Sequence, residues 1–270
     1  MVFSVDLERL RGQPAWAAGL ASLSKDRKRW LDGLTASTGL DLTKQVRRVL
    51  VALPAERQRD DRFVLIADTD RLDETRVTAW LRERLRNKAD VVIRDNSKII
   101  LSQGDWTSAT KALATSTRRM PSAADNPEML RLCTRAATKH DLWFAAAVPM
   151  SVRRGLMHAQ GLADVASMVR VRGAIDLDGV NGTNSGAHAE AVAELSSTAD
   201  ATELVHRLGV YLNQAKRHPD MLVHGLAPYL EAVRLSSQGA SVHLSLDVSG
   251  AQLSECIERM EALAHGAWTK

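Results

Sequence analysis

The chain has 270 residues, of which 45% are hydrophobic and 25% are charged, proportions typical of globular proteins. No apolar run approaches the roughly 18–20 residues that a transmembrane helix needs. The formal net charge is +4, but residues 1–120 contain 23 Lys and Arg against 16 Asp and Glu, whereas residues 121–270 contain 13 against 16. This sign difference indicates a polar partner surface, head-to-tail contact between molecules, or simply a solvated surface.

The first half alternates between predicted strands and helices. β-Branched runs bounded by polar or turn residues predict strands over 2–7, 46–53, 62–68, 90–95 and 98–103. Apolar residues at intervals of three and four predict helical structure between the first two strands, ending at Gly39. A second helix is predicted over 71–87, with Asp70 as its cap, and a third begins at Trp106.

A stretch rich in Pro, Ser, Ala, Asp and Asn, residues 121–127, is typical of a boundary, and a similar series of elements follows it. The predicted strands of this second half are 142–150, 169–179, 187–197 and the hairpin 233–248, which turns at Gln238-Gly239. The predicted helices are 127–139, 151–164, 199–217, 220–231 and 251–264.

Each half therefore follows the order strand, helix, strand pair, helix, strand pair, helix. This order predicts an α+β fold made of two tandem copies of a β-α-β-β-α-β-β-α unit, an internal duplication. The first, basic repeat covers residues 1–120, and the second, slightly acidic repeat covers residues 121–270. The sheets are predicted to be mainly antiparallel, with helices packed on one face.

The second half also contains the residues that come nearest to a site. Strict alternation in its strands predicts one polar sheet face, shared by Asp176, His188, Glu190, Glu194, His243 and Asp247. Four of these, His188, Glu190, His243 and Asp247, are candidate metal ligands, because imidazoles and carboxylates bind divalent cations. The other interpretation, an ordinary solvated face with cross-strand pairs, is the one that we favour.

Motifs with a defined chemistry are absent from the sequence. It contains no G-x-S-x-G, no phosphate-binding glycine loop and no His or Cys pair with zinc spacing. We therefore predict no catalytic residues and no bound cofactor, and we favour a non-enzymatic role over an enzymatic one. The two cysteines, Cys133 and Cys256, lie in apolar helical patterns, which predict two buried thiols or, in an oxidising compartment, one bridge between them.

Basic runs in the first half suggest an alternative function. These are Lys25, Arg27, Lys28 and Arg29, then Arg47 and Arg48, then Arg82, Arg84, Arg86 and Lys88. Such clusters bind phosphate backbones or anionic surfaces. However, Trp30 and Trp80 fall on apolar helix faces and are predicted to pack in the core, so exposed aromatic residues that would stack on bases are missing. Nucleic acid is therefore not the expected partner.

Three segments resemble a known group of proteins. They are F-S-V-D-L-x-R-L-R-G (3–12), T-G-L-D-L-x-x-x-V-R-R-V-L-V-A-L (38–53) and F-V-L-I-A-D-T-D-R-L-D-E-T-R-V (63–77). They are similar to uncharacterised duplicated-domain proteins, often predicted lipoproteins, of myxobacteria and related bacteria. The resemblance implies a periplasmic or outer-envelope location with a removed anchor, and it implies no activity. If Met1 is the native start, a cytoplasmic location is expected instead.

The sequence thus predicts a non-enzymatic binding or structural module, placed at the bacterial cell envelope by the resemblance. Its expected partner is another protein or a second copy of itself, contacted through the water-facing sides of the sheets. The alternatives are a binder of nucleic acid or anionic surfaces through the basic first half, and a hydrolase or metal-dependent enzyme on the second-half sheet face.

Overall fold

A computed structural model describes residues 1–13, 16–17, 20–21, 23–54, 62–86, 88–104, 106–115, 127–137, 140–158, 165–177, 186–219, 221, 225, 227–253 and 255. The chain divides into two compact units, Met1–Ala146 and Ala147–Lys270. Each unit combines antiparallel strands with helices, so the predicted α+β class is confirmed. The tandem duplication stays a prediction.

In the first unit the described strands follow the order β4-β5-β3-β2-β1-β6, and neighbouring strands from β4 to β6 are antiparallel. Their bounds are β1 Val2–Asp6, β2 Val46–Ala52, β3 Phe63–Thr69, β4 Asp90–Arg94, β5 Lys98–Gln103 and β6 Leu142–Ala147. Val49 lies opposite Val5 and Ala67, and Ala67 lies opposite Ile99. Because directly paired residues point to the same side, these four side chains share one face of the sheet.

The helices of the first unit are α1 Leu7–Arg11, α2 Lys25–Thr38, α3 Leu42–Gln45, α4 Glu74–Leu85, α5 Trp106–Thr115 and α6 Pro127–Ala137. Helix α4 begins three residues later than predicted, because the side chain of Asp73 accepts the backbone N–H of Arg76 and caps the helix in place of Asp70. At the other end of α2, Gly39 adopts a left-handed conformation with φ of 74° and closes the last turn.

The core of the first unit lies between the sheet face of Ala67 and the helices α2 and α4. Its buried residues are Leu34, Leu40, Val46, Ala67, Leu72, Val77 and Ile99. Helix α6 and strand β6 also belong to this compact unit, since Phe144 of β6 pairs with Phe3 of β1. The unit therefore extends beyond the predicted first repeat, and residues 116–126 around the predicted boundary lie outside the described residues.

In the second unit the described strands follow the order β7-β8-β10-β9, and they too are antiparallel. The elements are α7 Met150–His158, β7 Met168–Asp176, β8 Ala187–Leu195, α8 Thr198–Lys216, α9 Ala227–Glu231, β9 Val233–Gln238 and β10 Ser241–Val248. The predicted hairpin over 233–248 is confirmed, and Gly239 in its turn has a φ of 57°. Helix α8 covers the apolar sheet face through a cluster of Leu195, Ala201, Leu204 and Val242.

None of the helices within the described ranges combines the length and the apolar composition that crossing a lipid bilayer requires.

Candidate functional site

An apolar cavity of about 420 Å³ lies inside the first unit, between the sheet and the pair of helices α2 and α4. We call it the α2–α4 cavity. Its floor consists of sheet residues such as Val49, Leu65 and Ala67, and its roof includes Leu34 of α2 and Val77 of α4. A volume of this size is within the roughly 300–1,000 Å³ typical of small-molecule sites. The first unit therefore has a recess of ligand size beside its buried cluster, and Leu34, Ala67, Val77 and Ile99 belong to both.

The walls of this cavity offer apolar contact rather than reactive groups. Apart from Arg84, the one polar side chain among its described lining residues is Thr38. The Thr38 hydroxyl donates to the Leu34 carbonyl at 2.7 Å and accepts the Leu40 N–H at 3.1 Å, so it is occupied within the end of α2. A cavity with these walls can bind an apolar molecule but supplies no nucleophile, acid or base to transform it.

Two tryptophans and an arginine form the solvent-facing edge of the cavity, which we call the rim. The rings of Trp30 and Trp80 meet edge to face with centroids 6.1 Å apart. The guanidinium carbon of Arg84 lies over the Trp80 ring, 5.6 Å from its centroid, in cation–π geometry. Trp30 is 48% exposed, so the predicted burial of this residue in the core is wrong. It lies at the edge of an open cavity instead.

The relative direction of helices α2 and α4 determines which of their residues lie near the rim. Near the start of α4, the guanidinium of Arg76 donates to the carbonyls of Ala36 and Ser37 near the end of α2, at 3.1 Å each. Farther along α4, Trp80 meets Trp30. The helices α2 and α4 are therefore antiparallel, and the last turn of α4 lies toward the first turn of α2.

The structure consequently relates two of the three predicted basic runs to one end of the cavity. The run at residues 25–29 forms the start of α2, and the run at residues 82–88 includes the end of α4. The run of Arg47 and Arg48 lies elsewhere, and its charge is partly neutralised. Arg48 pairs with Asp6 at 3.0 Å, and Arg47 lies 3.9 Å from Asp70. A local excess of positive charge thus lies beside the rim.

The polar sheet face predicted in the second unit is present. Asp247 lies opposite His188 and Ser245 lies opposite Glu190, so these residues share one face as the alternation predicts. The His188 Nδ1 and Asp247 Oδ1 atoms are 2.6 Å apart, in a contact that can be a hydrogen bond or an ion pair. Arg170 and Glu194 form a second cross-strand pair at 2.9 Å.

The four candidate metal ligands are not assembled into a set. His188 and Asp247 meet, whereas the residues opposite His243 are Val192 on β8 and Ser236 on β9, neither of which is a candidate ligand. Within the part of the chain that the structure describes, no group of three or more His, Cys, Asp or Glu residues is placed to hold a metal ion. Cross-strand pairing is what this face shows, in keeping with the interpretation favoured from the sequence.

A second hollow, of about 510 Å³, lies in the second unit beside α7 and the start of α8. Its lining mixes the exposed side chains of Met150 and Met157 with Arg153, Asp200 and Glu203. Glu203 forms an ion pair with Arg207 at 2.6 Å within α8, and Arg153 contacts Ser196 at 3.3 Å and the Met150 sulfur at 3.2 Å. The surface is mixed in character and mostly self-paired, so it defines no ligand class.

Cys133 has a free thiol that is half-buried in α6. Burial raises the pKa of this thiol, although the nearby N-terminal ammonium of the chain opposes the shift. A raised pKa lowers the thiolate population and with it the reactivity of the residue. Cys256 lies outside the described residues.

Comparison with known proteins finds a distant likeness to a solved structure. No family model matches the chain, and no curated protein matches it. A solved structure described as crystal form I of TP0453 is similar with a TM-score of 0.41 and 10% sequence identity, over 95% of this chain and 92% of that one.

Proposed function

We propose that this chain is a non-enzymatic binding module whose first unit holds an apolar small molecule in the α2–α4 cavity. The observation on which the proposal depends is a space of about 420 Å³ that is lined almost entirely by apolar side chains. Removing an apolar ligand from water and placing it in such a space is favourable by about 25 cal/mol per Å² of buried apolar surface. Without a ligand the same apolar walls are in contact with water, which is the unfavourable state that a bound apolar molecule removes.

The absence of reactive groups from the described walls supports binding rather than catalysis. Thr38 is held by Leu34 and Leu40, and the remaining polar lining group, Arg84, has no acid–base role near neutral pH because its guanidinium stays protonated. A ligand that enters this cavity is expected to leave it chemically unchanged.

A substitution that fills the cavity tests this proposal. Ala67 lies on the cavity floor and is 7% exposed, so the variant Ala67→Phe places a ring where the ligand would lie. We expect it to weaken the binding of a neutral naphthylamine dye, followed by the rise in dye fluorescence, by about tenfold or more.

The matched control is Ala79→Phe, which adds the same ring to an exposed position of α4 outside the cavity lining. We expect it to bind the dye as the wild-type protein does. Circular dichroism establishes that both variants are folded. Equal dye affinities for Ala67→Phe and Ala79→Phe would contradict the proposal.

We place this module at the bacterial cell envelope, with a removed lipid anchor, because the sequence resembles predicted lipoproteins. Its remaining partner is proposed to be another protein or a second copy of the chain, contacted through the polar sheet face of the second unit. The charge difference between the halves supports this assignment. Sedimentation should then show assemblies at low salt that dissociate as salt is raised, whereas monomers at every salt concentration would argue against self-association.

A binder of nucleic acid or anionic surfaces remains the alternative. The arrangement in favour of it is the antiparallel packing of α2 and α4, which relates the runs 25–29 and 82–88 to one end of the first unit. A gel-shift series at low ionic strength distinguishes the two proposals, because an apolar-ligand module without a nucleic-acid function should retain no duplex or single strand.

A further inference from the structure

We infer that the ligand of the α2–α4 cavity is an anionic amphiphile, an alkyl chain with a carboxylate or phosphate head that is bound by Arg84 at the rim. This inference rests on the proposed function and specifies its ligand class. It joins two features that the sequence presents separately, the apolar interior and the basic runs.

Arg84 is positioned to recognise an oxyanion. It is the one charged side chain among the described residues that line the cavity, and none of the described carboxylates forms an ion pair with it. Its guanidinium lies over the face of Trp80, and the residue is exposed to solvent, so an oxyanion can reach it. A guanidinium fixed in this way matches carboxylate and phosphate oxygens in a bidentate geometry.

The surroundings of Arg84 favour negative charge as well. The segments 25–29 and 82–88 together contain eight Lys and Arg against two acidic residues, Asp26 and Glu83. Asp26 lies 3.6 Å from Arg29, within the same segment. The potential at this end of the unit is therefore positive, which attracts anions and repels cations of the same chain length.

The apolar interior of the α2–α4 cavity favours a ligand with an alkyl chain. A small polar anion would leave the space between Leu34, Ala67 and Val77 unfilled, whereas an uncharged hydrocarbon would gain nothing from the charge-assisted hydrogen bonds that Arg84 can donate. A single alkyl chain with an oxyanion at one end satisfies both, with its head at the rim and its chain inside. Each methylene that enters the cavity should tighten binding about fourfold until the cavity is full.

Titration calorimetry with four dodecyl compounds, each below its micelle concentration, tests this inference. The compounds are dodecanoate, dodecyl phosphate, dodecanol and dodecyltrimethylammonium, so that the chain is constant and the head varies. Wild-type protein should bind the two anions about tenfold or more tightly than the alcohol, and the cation least tightly. The tighter of the two anions identifies whether the head is a carboxylate or a phosphate.

The variants Arg84→Gln and Arg82→Gln distinguish a direct contact between Arg84 and the anionic head from the general positive charge of the surrounding residues. Arg82 is an exposed residue of the same helix that does not line the cavity. Arg84→Gln should lower the affinity for both anions by most of their advantage over the alcohol and leave the affinity for the alcohol unchanged, while Arg82→Gln should lower the affinity for the anions much less, because only the general positive potential is reduced.

Two results would overturn the inference in distinguishable ways. Equal affinity of wild-type protein for dodecanol and both anions, or equal losses in the two arginine variants, refutes the role of Arg84 but leaves an apolar-ligand module intact. Failure of all four compounds to bind refutes the proposed function together with the inference.

Discussion

The two units both place a helix-covered apolar face on an antiparallel sheet, yet they fill the space beneath the helix differently. In the second unit small residues allow a close approach: Ala201 of α8 is fully buried, and it packs with Leu204 against Leu195 and Val242. In the first unit larger residues, among them Trp30 and Trp80, hold the helices around an open space of about 420 Å³. The second unit also has a hollow, of about 510 Å³, but charged residues such as Arg153, Asp200 and Glu203 contribute to its lining. The character of the lining, rather than fold class or the mere presence of a space, therefore distinguishes the candidate binding cavity.

The largest expected difference between the units comes from shortening a leucine. Leu195 is 6% exposed in the buried cluster of the second unit and does not line the 510 Å³ hollow, so Leu195→Ala should lower the free energy of unfolding by about 2–5 kcal/mol. Leu81 lines the cavity and already lacks neighbours on one side, so Leu81→Ala should cost only about 1 kcal/mol. Urea unfolding measures both values, and equal costs would show that the first unit is as tightly packed as the second.

Enlarging an alanine should give effects of opposite sign in the two units. Ala201→Leu inserts three carbons where no space exists and should destabilise the protein by about 1–3 kcal/mol. Ala67→Leu extends into the cavity and should leave the free energy of unfolding unchanged or raise it by up to about 1 kcal/mol. Thermal unfolding of the two variants measures both changes in stability. Equal destabilisation by the two substitutions would show that the cavity is not an open space.

The smallest effect concerns Asp41, which caps the short helix α3 at the floor of the cavity. Burial alone would raise the pKa of Asp41, but hydrogen bonds from the Thr43 hydroxyl and N–H and the Lys44 ammonium outweigh it and lower the pKa below its ordinary value. A lowered pKa means that the carboxylate stabilises the fold above the ordinary value of 3.8, and that this contribution is lost as the pH falls through the folded value.

The variant Asp41→Asn keeps the cap but removes the charge. It should therefore lower stability by less than about 1 kcal/mol at pH 7, and the difference from wild-type protein should vanish in acid. Urea unfolding at a series of pH values measures the difference. A difference that persists unchanged below pH 3 would assign the effect to lost hydrogen-bond geometry rather than to charge.

Much of the fold was predictable because strand alternation is a local signal. The shared polar face of His188 and Asp247, and the hairpin that turns at Gly239, follow from a period of two and a turn glycine, whereas the register that pairs His188 with Asp247 does not, because a slip of two residues keeps the same face. The first residue of α4 was harder to predict from the sequence, because Asp70 and Asp73 are both acceptable N-caps. The structure shows that Asp73 is the one used.

The cavity could not be predicted from the sequence. Apolar spacing places Trp30 and Trp80 on the inner faces of their helices, but it does not say whether the space between helix and sheet is filled. That depends on the separation of α2 and α4 from β3, which a pattern along one chain does not encode. The signal that was present, basic runs next to helix-face tryptophans, becomes meaningful only once the helices are known to be antiparallel.

The most direct test of the binding cavity is methyl NMR spectroscopy during a titration with dodecanol, because each unit has its own reporters. The account predicts that the methyl signals of Leu34, Val77 and Ile99 shift with a common saturation curve, while those of Leu204 and Val242 stay in place. Shifts confined to the second unit, or no shifts in either, would contradict it.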